Sequence, residues 1–260
     1  MLSWSINLFR VRGIQLALHF TFVLWLGYAA VTGFQSDGIE GMLWSSGAML
    51  VIFTCVVLHE FGHSFTAIHF GVGVRRILLM PIGGMAEFDS IPREPRREFL
   101  ITIAGPAVNF VIAGLILPFV GFGHGWSSFR YDPETIADLF RLLAFWNLGI
   151  GIFNLVPIFP MDGGRIFRAL LATRLPYLNA TYWAVKIGKV IALVAIAIAY
   201  FGYHNYLAIA LFLFIMFAGE NEYRNLLRRE RYEAQWQTLT PHYRVISPTP
   251  PSEEPPLLRP

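Results

Sequence analysis

The chain has too few charged residues to be a soluble globular protein. Only 14% of its 260 residues are Asp, Glu, Lys or Arg, where a water-soluble domain carries about 25% to wet its surface. Hydrophobic residues reach 55% and the mean hydropathy is +0.52. A single cysteine, Cys55, excludes an intrachain disulfide framework. No loop between the apolar runs is long enough for a folded soluble domain. This composition requires an integral membrane protein.

Six apolar stretches can be marked: Ile14–Phe34, Gly47–Phe70, Phe99–Phe122, Ile136–Val156, Trp183–Phe201 and Tyr206–Gly219. A helix needs about 20 residues to cross the hydrocarbon core. The sixth stretch is short, so it either continues through Glu220 and Glu222 or lies obliquely. Arg10 and Arg12 precede an apolar run too long for a cleaved signal segment, which predicts a retained anchor.

Of the 20 Lys and Arg residues, 18 fall on one side of these spans, and only Arg130 and Arg141 lie on the other. The positive-inside rule then sets both termini in the cytoplasm, for an even number of spans in the cell (inner) membrane. The pI near 9.1 therefore reports topology rather than a nucleic-acid partner. The expected partner is the lipid bilayer. The expected organisation is a transmembrane domain over residues 1–220 with a core at about 47–174. Residues 221–260 follow as a cytoplasmic tail, proline-rich and unpacked from about 247.

The second span contains Leu58-His59-Glu60-Phe61-Gly62-His63. Ionisable residues at membrane depth are costly and point to function. His59 and His63 stand one helical turn apart and can reach one metal ion, with Glu60 adjacent to take a proton from an attacking water. This is the H-E-x-x-H arrangement of zinc hydrolases. The bland alternative is a buried polar cluster that joins helices.

A catalytic zinc has three protein ligands and one open position, so a third is needed. Asp162, in the segment Pro157-Ile158-Phe159-Pro160-Met161-Asp162-Gly163-Gly164, is either that ligand or the N-cap of a following helix. Pro157 and Pro160 should end the fourth span near its cytoplasmic face. His63 lies about 10 Å deep at helical rise, so a re-entrant bend could bring Asp162 to it. Cys55, one turn before His59, either lines the same face or is simply a small buried residue.

These motifs resemble the site-2 protease family of intramembrane zinc metalloproteases. The resemblance rests on His59-Glu60-Phe61-Gly62-His63, on Asn154-Leu155-Val156-Pro157 through Asp162-Gly163, and on Gly105-Pro106-Ala107-Val108-Asn109. It covers roughly Val51 to Arg174. It implies one Zn2+ per chain held by His59, His63 and Asp162, with Glu60 as general base and acid. The implied reaction is hydrolysis of a peptide bond within or near a transmembrane segment of another membrane protein.

The resemblance also implies a role for Asn154 in holding the oxyanion or positioning substrate; the alternative is an amide that satisfies backbone groups freed by Pro157. Asn109 is read as structural or as orienting substrate. The stretch from Val72 to Phe88, centred on Gly83 and Gly84, resembles the family's membrane-inserted β-hairpin. Its open edge would bind an unwound substrate strand, or else the segment lies on the headgroups. The expected fold is thus an all-α polytopic membrane protein of about six transmembrane helices, with a short membrane-associated β-hairpin between the second and third. Neither a PDZ domain nor a CBS pair is expected, because the loops and the tail are short. Two rival functions are a catalytically silent membrane scaffold and a zinc transporter.

Overall fold

The structure is a computed structural model that describes residues 4–81, 83–89, 92–121 and 135–239, with side chains described as far as residue 236. Strands β1 (Ser5–Val11) and β2 (Ile14–His19) lead into α1 (Phe20–His69). Strands β3 (Val74–Met80) and β4 (Gly83–Phe88) follow, then helices α2 (Pro95–Val120), α3 (Ile136–Leu155), α4 (Asp162–Ala172), α5 (Tyr177–Phe201) and α6 (Tyr206–Leu239). All of these helices except α4 are long and apolar enough to cross a membrane. Their outward faces carry large apolar side chains such as Val111, Leu115, Phe119, Val190 and Phe217, which water would not support but lipid does.

Helix α1 is two arms. Asp37 (φ −135°, ψ 28°) and Gly38 (φ 63°, ψ −140°) are non-helical, and Gly38 holds a backbone geometry that a side chain disfavours. The arms fold back on each other: the Phe22 and Trp25 rings lie 4.6 and 5.6 Å from that of Phe53. Residues 22 and 53 of one straight helix would be about 46 Å apart. With α1 folded into two arms, the five apolar helical segments give six apolar rods, in rough agreement with the hydropathy pattern.

Two boundaries differ from that pattern. Ile14–His19, expected in the first span, forms β2. The helix starts only after His19, whose Nδ1 accepts from the Thr21 amide. A run of six apolar-rich residues reads equally as strand or helix. What decides it is the pairing of β2 with β1 through the Arg12–Gly13 turn, where both φ values are positive. The second arm also begins at once after Gly38, about two turns earlier than Gly47, because the two-residue break needs no loop.

The expected hairpin is present as β3 and β4, but it belongs to a four-stranded sheet of order β1-β2-β3-β4. β2 and β3 pair in parallel, with Leu16 opposite Ile77 and Leu18 opposite Leu79. The whole of α1 serves as their crossover. Ile14, Leu16, Ile77 and Leu79 bury against Phe61 of α1, so the sheet packs directly on the helical turn that carries Glu60.

Helix α6 runs unbroken past Gly219 to Leu239, so no structural break falls at residue 221. Its first charges are neutralised where they leave the apolar zone: Glu220 accepts from Lys189 Nζ at 2.5 Å and from Arg224 Nε at 2.8 Å. The proline-rich segment from about 247 lies outside the described residues. The sheet core generates a first prediction. Ile77 is fully buried, so Ile77→Ala should destabilise the fold by about 2–5 kcal/mol, read as a lowered thermal midpoint in detergent.

Candidate metal centre

The second arm of α1 presents His59 and His63 on one face, and the N-terminus of α4 brings Asp162 to them. His59 Nε2 and His63 Nε2 are 3.1 Å apart. Asp162 Oδ2 lies 3.2 Å from the first and 3.1 Å from the second. All three side chains are nearly buried. Asp162 is the first residue of α4, and Met161 is its N-cap, without a side-chain capping bond. Its carboxylate is therefore turned to the imidazoles rather than spent on the helix end. The N-terminal end of the helix dipole also favours an anion there.

The tautomer that each ring adopts when neutral follows from its other nitrogen. His63 Nδ1 lies 2.8 Å from the Ile101 carbonyl oxygen, which can only accept, so Nδ1 carries the hydrogen. His59 is fixed through a longer relay. The Leu143 carbonyl accepts from Asn147 Nδ2 at 2.8 Å. Asn147 Oδ1 therefore faces Asn109 and accepts from its Nδ2 at 2.8 Å. Asn109 Oδ1 is left to accept from His59 Nδ1 at 2.6 Å. Each neutral imidazole then turns a lone pair on Nε2 toward the other and toward a carboxylate oxygen.

With both rings neutral, as metal ligation requires, three acceptors converge with no donor among them. In a nearly buried site such an arrangement repels itself unless a cation sits between the atoms. The spacing suits one: ligand atoms about 2.0–2.1 Å from a tetrahedral zinc ion lie about 3.3 Å from each other. Two imidazole nitrogens and a carboxylate oxygen are a common catalytic zinc set. On donor chemistry and spacing, the residues fit a divalent zinc ion.

Helix α2 is shaped around this face. Ile101, Gly105 and Asn109 are spaced by four residues and all point to α1: Ile101 holds His63, Asn109 holds His59, and Gly105 lies between them. A Cβ at Gly105 would overlap the His63 imidazole. Pro106 has no amide hydrogen for the Thr102 carbonyl, which opens the helical ladder beside Ile101.

Glu60 is half-buried and lies under β4. A Cβ at Gly84 would sit 2.5 Å from Glu60 Cγ and 3.0 Å from its Cδ and Oε1, so glycine lets the strand pass over the carboxylate. Gly83, with φ 133°, opens that strand. Asn154, at the end of α3, donates from Nδ2 to the Ile150 carbonyl at 3.0 Å and makes no hydrogen bond to the His59, His63 and Asp162 group. Cys55 is buried and lies beside Asn147.

Sequence reasoning singled out His59, Glu60, His63, Asp162, Asn109, Asn154, Gly83 and Gly84. It missed Asn147 and the Ile101 carbonyl. Asn147 carries a legible signal, an amide within an apolar span; a backbone acceptor carries none. The relay predicts that Asn109→Ala weakens zinc affinity about 10- to 100-fold, measured by chelator competition on purified protein, and lowers the thermal midpoint, because His59 Nδ1 and Asn147 Oδ1 lose their buried partner.

A family model for peptidase family M50 matches residues 47–129 and 130–195. The chain is 40% identical over 223 residues to a zinc metalloprotease of Methanocaldococcus jannaschii, covering 86% of this chain and 62% of that protein. It is 31% identical over 204 residues to a putative zinc metalloprotease of a Synechocystis species, covering 75% of this chain and 52% of the relative. Stage IV sporulation protein FB of Bacillus subtilis is 32% identical over 136 residues, with 51% and 43% covered. The chain thus spans between about two-fifths and three-fifths of the length of these relatives. Among solved structures, a site-2 protease from M. jannaschii matches with a TM-score of 0.57 and 37% identity, covering 85% of this chain and 95% of that one. This integral membrane protein belongs to peptidase family M50.

Proposed function

We propose that the chain is an intramembrane zinc metalloendopeptidase, hydrolysing a peptide bond in or near the transmembrane segment of another membrane protein. The observation that carries this reading is the convergence of the His59, His63 and Asp162 lone pairs inside a membrane-spanning bundle, with Glu60 alongside. The names of the relatives support zinc as the ion.

Zinc bound by these three residues would supply Lewis acidity, drawing charge from the scissile carbonyl and acidifying the attacking water. The remaining chemistry belongs to the chain. Glu60 takes the water's proton and delivers it to the leaving amine. Asn109 and the Ile101 carbonyl hold the two imidazoles in the tautomer that offers Nε2. Asn154 keeps one amide hydrogen for the oxyanion or the substrate backbone after bonding Ile150.

A transmembrane helix hides its carbonyls in its own hydrogen bonds, so the substrate must unwind before it is cut. Strand β4 is the edge of the sheet and runs over Glu60. An unwound segment that paired along Gly83–Phe88 would bring its carbonyls to the site in extended form. The distribution of Lys and Arg supports cytoplasmic termini in a cell (inner) membrane, with the site below the cytoplasmic surface and open to water from that side.

The test is cleavage of tagged single-span membrane proteins co-expressed with the chain. Glu60→Ala should lower turnover by at least about 10²-fold while the purified variant retains about one zinc per chain, as a site with three other ligands requires. Cleavage undiminished in that variant contradicts the mechanism. Asp162→Ala should lose both zinc and cleavage, and full zinc occupancy in it removes Asp162 from the ligand set.

A further inference from the structure

Arg168 is the largest side chain of the described residues to be fully buried. It lies six residues beyond Asp162 on the same short helix. Its Nε donates to Glu98 Oε1 of α2 at 2.9 Å, and Nη2 donates to the same oxygen. Nη1 reaches Glu222 Oε1 of α6 at 3.2 Å. Tyr177, at the start of α5, donates its hydroxyl to Glu98 Oε1 at 3.3 Å. The guanidinium also lies 4.9 Å from the centre of the Tyr177 ring and 5.0 Å from that of Phe159. Phe159 is in the irregular turn three residues before Asp162. One cation therefore grips the metal-ligand turn from both sides, through Phe159 ahead of it and through its own helix behind.

The other end of the link is equally placed. Glu98 is one helical turn before Ile101, whose carbonyl orients His63. The Arg168–Glu98 pair thus joins the helix that carries Asp162 to the turn of α2 that aligns His63. Gly163 and Gly164 follow Asp162 directly, and a Cβ on either would overlap the backbone of residues 155–159, so the turn itself is closely packed. That packing fixes where α4 enters, and the Arg168–Glu98 pair, a turn and a half further on, adds a directional contact that fixes its rotation against α2.

Taking two charges out of water is costly, and apolar replacements of such pairs are commonly as stable. The planar guanidinium fork offers what apolar packing does not, a fixed direction in space. All three donors at Glu98 converge on Oε1, leaving its buried Oε2 without a partner among the described residues, an arrangement poorly suited to maximum stability.

We infer that Arg168 and Glu98 are positioning residues for the metal centre: their buried pair sets the register of α4 against α2, and so the geometry at which Asp162 meets His59 and His63. This inference rests on the zinc reading above. The experiment uses full-length protein in detergent loaded with cobalt(II), whose visible absorption reports coordination geometry, together with zinc affinity by chelator competition. The variants are Glu98→Gln, Arg168→Lys and the double variant Glu98→Leu/Arg168→Met.

The double variant should keep a thermal midpoint near that of the wild type, yet bind zinc about 10- to 100-fold more weakly and show an altered cobalt spectrum. Should it fail to fold, Glu98→Gln and Arg168→Lys, which nearly conserve side-chain volume, carry the same comparison. Wild-type zinc affinity and an unchanged cobalt spectrum in the folded variants overturn this inference alone. A wild type that takes up no cobalt or zinc overturns the metal reading, and this inference with it.

Discussion

Three lone pairs aimed at one point, inside a bundle of apolar helices, are the constraint on which the rest of this structure depends. His59, His63 and Asp162 bring two neutral imidazole nitrogens and a carboxylate oxygen within 3.1–3.2 Å of one another. With both rings neutral, that contact is repulsive and poorly solvated unless a cation sits among the atoms. Much of the surrounding architecture holds those atoms in place against their repulsion. Leu143 fixes Asn147, Asn147 fixes Asn109 and Asn109 fixes His59. The Ile101 carbonyl does the same for His63. A backbone acceptor cannot rotate or titrate, which makes it a firm end for such a chain of hydrogen bonds.

The same demand accounts for where the small and irregular residues fall. Gly105 lets α2 approach the His63 ring, and Gly84 lets β4 cross Glu60. The break between α3 and α4 returns the chain into the bundle so that Asp162 can reach the two imidazoles. The sheet, packed on Phe61, presents an edge strand beside Glu60. One arrangement therefore gathers a candidate ion site, a carboxylate and a strand edge within a few turns of α1.

The site was legible in the sequence because its residues are chemically out of place. Two histidines and a glutamate within five positions of an apolar span, and an aspartate between prolines and glycines, are costly unless used. Residues that act through backbone atoms left no such mark: Ile101 is one apolar residue among many, and its carbonyl matters only because the fold sets it against His63 Nδ1. The N-terminal sheet was missed for a related reason. Ile14–His19 continues smoothly into the hydropathy of the first span, and only its pairing with β1 and β3 separates the two. The length of α6 was hidden because its apolar stretch ends at Gly219, while helix continues through charged residues neutralised in pairs. Composition marked where the lipid ends, which is not where the helix ends.

The most direct test of the central claim is X-ray absorption at the zinc edge on detergent-purified wild-type protein. A convergent His59, His63 and Asp162 site predicts about one zinc per chain, surrounded by nitrogen and oxygen at about 2.0–2.2 Å with two imidazole scattering patterns and no sulfur shell. Zinc bound through sulfur at about 2.3 Å, or a folded protein that binds no metal, would contradict it.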